Sequence, residues 1–366
     1  MKKYQTLYVA ASRQHVGKTT STLGLAYCLH RLGIDIGYCK PVGQKFVDLN
    51  DLKVDKDTIL FSDLIQFDLH PEIHSPVILG SGATTDYIDN PDDFHFEEKI
   101  LKAKETLERR KELTIHEGTG HPGVGSVVNL SNAKVAKMLD AQVIFIAEGG
   151  VGSTIDMINM CISLFREEKV PIMGIIINKV REDKIDKIKP YLKKYLDSVG
   201  IPLLGMVPYD RTLAFPVMST VTRAVEGKLM ANPQSTKNKV ADVLAGTVLD
   251  RSKLEKRDNL LLVVDKARLD QTIERILEIN EESGVEEWPL SGIIVCGEGE
   301  ISDKTNAVID EYETPLVCTE LDTYGVVLKV SRIEVKINRD TPWKIKRAID
   351  LIQENVDLDY IVNKIS

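Results

Sequence analysis

The stretch Tyr8-Val9-Ala10-Ala11-Ser12-Arg13-Gln14-His15-Val16-Gly17-Lys18-Thr19-Thr20 decides the fold. An apolar run from Leu7 to Ala11 feeds a short loop, then Gly-Lys-Thr, then a helical pattern. That is the strand–loop–helix order of a phosphate-binding P-loop. Gly17 lets the backbone approach an anion closely, and the amides that open the helix point at phosphate oxygens along the helix dipole. Lys18 is placed to reach the terminal phosphates, and the Thr19 hydroxyl to ligate Mg²⁺. Arg13, His15, Val16, Gly17, Lys18, Thr19 and Thr20 are the candidate nucleotide-binding residues, with Lys18 also a candidate catalytic cation. Ser12 stands where the usual pattern has a glycine, six residues before the lysine. The alternative is a chance Gly-Lys-Thr at a helix start, and the preceding strand argues against it.

Outward from the loop, apolar runs predict strands at Thr6–Ala10, Ile34–Cys39, Leu113–His116, Val143–Ala147, Ile172–Ile177 and Leu203–Met206. Between them lie helical patterns at Thr19–Leu32, Asp93–Arg110, Asn132–Leu139, Ser153–Glu168 and Ile185–Val199. Continuously apolar strands are expected where helices cover both faces of a parallel sheet. The fold class is therefore α/β, a doubly wound parallel sheet with its ligand at the carboxyl ends of the strands.

After Pro216 a shorter alternation begins. It predicts strands at Leu260–Val264, Gly292–Cys296, Leu316–Thr319 and Ile333–Ile337, and helices at Leu269–Ser283, Lys304–Tyr312, Tyr324–Val330 and Trp343–Asn355. Thr341 and Pro342 mark the start of the last helix. A chain of 366 residues is long enough for two domains, here residues 1–218 and a smaller α/β domain over 221–366.

Composition is that of a globular protein, 43% hydrophobic and 28% charged. A net charge of −8 gives no global electrostatic case for nucleic acid or an anionic membrane. The five cysteines form no Cys-x-x-Cys pair, which points to a reducing compartment and away from structural zinc. No apolar run reaches the ~18 residues of a membrane span. The charged start leads straight into the first strand and is not read as a signal peptide. The expected location is the cytoplasm.

Beyond the first helix the chain reads Ile34-Asp35-Ile36-Gly37-Tyr38-Cys39-Lys40-Pro41-Val42. Here it resembles dethiobiotin synthetase and its relatives, a P-loop family of ATP-dependent ligases. In that family the loop typically reads Gly-Thr-Asp-Thr-x-Val-Gly-Lys-Thr and the next strand ends Tyr-Lys-Pro-Val. Val16 to Thr19 and Lys40 to Val42 match, while Ala11 and His15 replace a glycine and an acidic residue.

The resemblance implies ATP and Mg²⁺ as cofactors and a homodimer. It places Asp57 and Glu117 with Thr19 around the magnesium. It gives Lys40 a catalytic role, stabilising a developing acyl phosphate or carbamate by charge. It puts Asn178 and Pro208 on the adenine side, and Asn178-Lys179-Val180-Arg181 lacks the aspartate of the GTPase signature. Each residue also has a plain alternative. Asp57 reads as a solvated acid near Asp51, Asp55 and Asp63, Glu117 as a turn acid before Gly118, and Lys40 as a solvated strand-end lysine. His116 and His121 lack further ligands at metal spacing, so no transition-metal site is expected.

Asp210-Arg211 and Phe215-Pro216-Val217-Met218 shift the match toward the amino-terminal region of long phosphate acetyltransferases. Asp265-Lys266-Ala267-Arg268, the run Ser291 to Gly297 and Asp322-Thr323-Tyr324 resemble the DRTGG domain that follows there. In those enzymes the acetyl-transferring domain comes next; the sequence stops at Ser366, so acetyltransferase activity is not expected. Two functions fit. One is a Mg-ATP-binding regulator whose second domain senses an unknown small molecule near Asp265, Gly297 and Asp322. The other is an ATP-dependent ligase that activates a carboxylate or carbamate by phosphorylation.

Overall fold

The computed structural model describes residues 5–49, 52–246, 254, 258–284 and 287–365. The chain divides into two compact units, Met1–Asp210 with Ile337–Ser366, and Arg211–Lys336. Among the described residues no helix is long and apolar enough to cross a membrane.

The first unit is built on six parallel strands: β1 Thr6–Ala11, β2 Ile36–Cys39, β3 Leu113–Glu117, β4 Gln142–Glu148, β5 Ile172–Val180 and β6 Leu203–Pro208. Their order in the sheet is β6-β5-β4-β1-β3-β2. All six lie on the apolar runs that predict them. Every residue of β1 is buried, as helices on both faces require. Tyr8 and Ala10 pack with Phe145, Ile175 and Ile177 in the core. β1 lies between β3 and β4, with Val9 beside Glu117 on one side and Ile144 on the other. The chain runs first to the β2 edge and later to the β4 side, so its direction across the sheet reverses around β1. A crevice forms at the carboxyl end of such a strand, and there the loop from Ser12 to Gly17 opens.

Helix α1, Lys18–Arg31, buries an unbroken run from Ser21 to Ala26. A helix lying on a sheet surface would bury one stripe. The extra cover comes from the helix Pro342–Asn355, which packs along α1. Their closest approach is at Gly24, where an added Cβ would lie 2.4 Å from Ile352 Cγ1 and 3.0 Å from the Ala348 carbonyl oxygen. The segment is also fastened to β6: Val356 bridges Gly205, and the Asp357 N–H donates to the Leu204 carbonyl at 2.8 Å. Arg347 pairs with Asp210.

This changes the expected division, which placed all of 221–366 in one domain. The apolar stripe of Pro342–Asn355 is visible in sequence, but its partner is not, and that partner is α1. The expected strand Ile333–Ile337 is also not formed. Residues 333, 335 and 337 are half-buried and the residues between them exposed, a two-residue alternation in a segment that joins no ladder.

Among its described residues the second unit has five strands: β7 Lys228–Ala231, β8 Asp242–Ala245, β9 Leu260–Asp265, β10 Leu290–Cys296 and β11 Leu316–Thr319. They lie in the order β7-β11-β10-β9-β8, and only β7 runs antiparallel. Because β9, β10 and β11 follow in space as in sequence, right-handed crossovers place their helices on one face. Helices Leu269–Ser283 and Asp303–Glu311 cover it, with Ile273, Ile276 and Ile309 on Leu262, Val264 and Ile293. Met218–Ala224 and Thr323–Ser331 cover the other face through Met218 and Val326. Asp265 and Asp322 act as caps, accepting the Ala267 and Gly325 N–H groups at 3.0 and 2.7 Å.

Candidate functional site

The P-loop leaves β1 at Ser12, whose N–H donates to the Ile146 carbonyl at 2.9 Å. Gly17 precedes α1 with φ 91° and ψ 27°, a left-handed conformation suited to glycine, and no side chain caps the first turn. The opening amides of the helix are thus left for an anion. Two side chains at the end of β5 hold the loop from behind. The Asn178 amide donates to the Val16 carbonyl at 2.8 Å, and the Lys179 ammonium donates to the His15 carbonyl. In a trans peptide the C=O and N–H point opposite ways. Anchoring these two carbonyls therefore turns the N–H groups of Val16 and Gly17 to the other side. A Cβ on Gly17 would lie 2.1 Å from Asn178 Nδ2, so the clamp needs glycine there. His15 and Lys179 hold φ of 62° and 56°, sparsely populated values for residues with a Cβ. Arg13 turns outward and pairs with Glu148. Thr20 is half-buried in the first turn of α1.

In front of the loop, cations and carboxylates meet. Lys18 Nζ is 3.1 Å from Glu117 Oε1, and the Thr19 hydroxyl donates to the same oxygen at 2.9 Å. The register sets Cys39 beside His116, so the next residues, Lys40 and Glu117, come together. Lys40 Nζ lies 3.4 Å from Glu117 Oε1 and 3.5 Å from Asp55 Oδ1, and it pairs with Asp57. Asp55 and Asp57 open the helix Lys56–Ile65, Asp55 accepting the Asp57 N–H at 2.9 Å. Asp57 is only 6% exposed, which removes its reading as a solvated acid.

Two ammonium groups thus face three buried carboxylates. Burial pushes the Lys18 ammonium toward deprotonation, and Glu117 opposes the shift. Burial acts on Lys40 in the same direction, but Asp57, Glu117 and Asp55 together outweigh it, and its pKa lies above the ordinary lysine value. Burial raises the pKa of Asp55, with Lys40 opposing. Glu117 is fully buried, and its second oxygen, Oε2, has no hydrogen-bond partner. A buried carboxylate oxygen without a partner is costly. A hard cation would satisfy it. Among the described residues, no group of three or more His, Cys, Asp or Glu forms a ready metal cage; Lys40 stands among these carboxylates instead.

The loop after Glu117 is tied by residues that sequence reasoning missed. Asn132 Oδ1 accepts from the Tyr8 hydroxyl at 2.7 Å and the Thr119 N–H at 3.0 Å. Its Nδ2 donates to the Thr119 and His121 carbonyls at 2.7 and 2.6 Å. The amide is fully used. The only sequence signal was the helix start at Ser131-Asn132. His116 is buried with both ring nitrogens unpartnered, and burial lowers its pKa to about 3. Pro208 ends β6, beside Val180 at the carboxyl end of β5. Asn178, read from the resemblance as an adenine contact, has its amide on the P-loop and is 6% exposed. A cavity of about 750 Å³ lies elsewhere, between the helix Ile185–Ser198, β6 and residues 354–357, and none of the predicted site residues lines it.

A family model described as an AAA domain matches residues 5–217. A phosphate acetyltransferase of Nitrosomonas europaea is 23% identical over 378 residues, covering 98% of this chain and 51% of its own. A probable cobyric acid synthase of Methanosphaera stadtmanae is 29% identical over 233 residues, covering 55% of this chain and 44% of its own. The chain spans about half the length of the curated relatives it matches. A MinD cell division protein of Aquifex aeolicus superposes with a TM-score of 0.38 at 14% identity, over 57% of this chain and 84% of that one, a likeness too loose to build on.

Proposed function

The chain belongs to the AAA domain family, and from that premise we propose that its first unit binds Mg-ATP at the P-loop and that its second unit regulates it by sensing a small molecule. One observation carries the nucleotide reading: Lys18 and Thr19, from the mouth of α1, converge on Glu117, whose Oε2 is buried without a partner. The amides of Val16 and Gly17 cradle phosphate oxygens. Lys18 exchanges Glu117 for the terminal phosphates. Thr19, Asp57 and Glu117 are the residues that would hold Mg²⁺, which when bound neutralises phosphate charge. The regulatory role, the DRTGG-like character of the second unit and a homodimer rest on the sequence resemblance, and a cytoplasmic location rests on the scattered, unpaired cysteines. Titration calorimetry with ATP, with and without Mg²⁺, tests the nucleotide reading. Lys18→Ala removes a charge-assisted contact and should cost at least about tenfold in affinity. Unchanged affinity would end the P-loop assignment.

The cage around Lys40 favours a second reading. A buried lysine held cationic by three carboxylates suits stabilisation of an acyl phosphate or carbamate, as in an ATP-dependent ligase. ATP turnover that appears only with diaminopelargonate and bicarbonate would favour the ligase. Binding without turnover would favour the regulator.

A further inference from the structure

We propose that Tyr38 is a positioning residue for Glu117, its hydroxyl directing the free Oε2 oxygen toward the nucleotide's divalent cation. The proposal rests on the Mg-ATP reading above. Tyr38 is fully buried, and its hydroxyl has no hydrogen-bond partner. It lies on β2 opposite Ile115, two residues before Glu117 on β3. Residues two apart on a strand share a face, so Tyr38, Lys40, Ile115 and Glu117 face the same side of the sheet. Strands ~4.8 Å apart that rise ~3.3 Å per residue put such diagonal neighbours ~8 Å apart between Cα atoms, a gap that a tyrosine and a glutamate side chain together can span.

The ring is fixed by stacking on Phe61, with centroids 3.7 Å apart and planes 6° from parallel. Phe61 lies one turn beyond Asp57 on the helix Lys56–Ile65, so the stack seats the helix that brings Asp57 to Lys40. Burial raises the Tyr38 pKa, and the carboxylates of Glu117, Asp57 and Asp55 raise it further. Toward those groups the hydroxyl is therefore a donor. An unpartnered donor and an unpartnered acceptor share one buried face of the sheet. In a purely structural role, phenylalanine would fill the slot without a polar atom to satisfy. The two are not bonded to each other in this structure; with Lys18 drawn onto phosphate, Glu117 loses a partner at Oε1, and the tyrosine hydroxyl then engages the carboxylate and keeps it from turning away.

The test is Tyr38→Phe in the full chain, with ATP affinity measured by calorimetry in Mg²⁺ and in EDTA, alongside thermal unfolding without ligand. Expected are a melting temperature equal to or above wild type, unchanged affinity in EDTA, and a Mg²⁺ enhancement reduced about fivefold, the equivalent of one hydrogen bond. Phe61→Leu is the control. It loosens the stack but keeps the hydroxyl, and should lower the melting temperature while leaving the Mg²⁺ enhancement in place. A Tyr38→Phe protein with the full wild-type enhancement overturns the proposal alone. Equal losses in both variants reduce Tyr38 to packing and overturn it too. If wild type shows no Mg²⁺ enhancement, the Mg-ATP reading falls and takes the proposal with it.

Discussion

Replacing Gly24 by alanine tests the helix contact behind the P-loop, because two opposing effects decide its sign. Alanine in a helix interior is favoured over glycine by about 1 kcal/mol. Here the new methyl would sit 2.4 Å from Ile352 Cγ1, 2.6 Å from Ile352 Cβ and 3.0 Å from the Ala348 carbonyl oxygen. Ordinary carbon contacts are ~3.5–4.0 Å, so α1 and Pro342–Asn355 would have to part by roughly 1 Å. Ile352 Cβ and a backbone oxygen cannot rotate away. Overpacking of this kind costs ~1–3 kcal/mol, and the net expectation is a loss of about 1 kcal/mol. Ile352→Ala alone should cost ~2–5 kcal/mol by leaving a cavity. In that background Gly24→Ala should become neutral or stabilising. Urea denaturation of the four proteins in a double-mutant cycle measures the coupling. If Gly24→Ala stabilises the otherwise native chain by the full helix-propensity gain, with no coupling to Ile352, the close helix crossing is refuted.

Asn178→Ala should loosen the P-loop at Val16 and weaken inorganic tripolyphosphate and ATP alike, by about fivefold; if tripolyphosphate binding is untouched while the preference for ATP over GTP changes, Asn178 reads the base instead. Glu117→Gln should weaken Mg-ATP more than metal-free ATP in calorimetry, and equal effects would make Glu117 only a structural partner of Lys18 and Lys40. His116 and His74 are held neutral by burial, with pKa values lowered to about 3 and about 4. Below the ordinary histidine pKa of ~6.5 the unfolded chain takes up protons that the folded one refuses, so stability should fall as pH drops from ~6.5 toward 4, by about 1 kcal/mol per unit for each histidine. His116→Phe should flatten that slope in urea titrations at stepped pH, and an unchanged slope would contradict the assignment. Residues 211–336 expressed alone should unfold cooperatively in urea, and a non-cooperative transition would deny them a core of their own.

The six strands of the first unit's parallel sheet were legible because both their faces are buried, which leaves continuous apolar runs such as Ile172–Ile177. β7 alternates exposed and half-buried residues over four positions, Lys228–Ala231, too short and too polar to stand out. The helix Lys56–Ile65 hid behind Asp55-Lys56-Asp57, which looks like a charged loop until Asp55 is seen capping it. Lys18, Thr19 and Glu117 could be named from sequence because each closes a strand or opens a helix, and they meet at one oxygen. Tyr8 and Asn132 are 124 residues apart, and nothing local signals their bond. The grip of Asn178 on the P-loop was concealed for the same reason.

The first unit is closed by residues that follow the whole second unit in the chain. Gly24 waits for Ala348 and Ile352, about 330 residues later, to cover it. At ~5–20 residues per second of synthesis, that wait is roughly 20–60 s. During it the outer face of α1 has no cover from Pro342–Asn355, while residues 211–336, a compact unit of their own, have all been made. The order of synthesis therefore reverses the order of completion: the half that emerges first is finished last. In the cell, the nascent chain's period of greatest need for a chaperone should fall late, over the segment that carries Lys18 and Thr19.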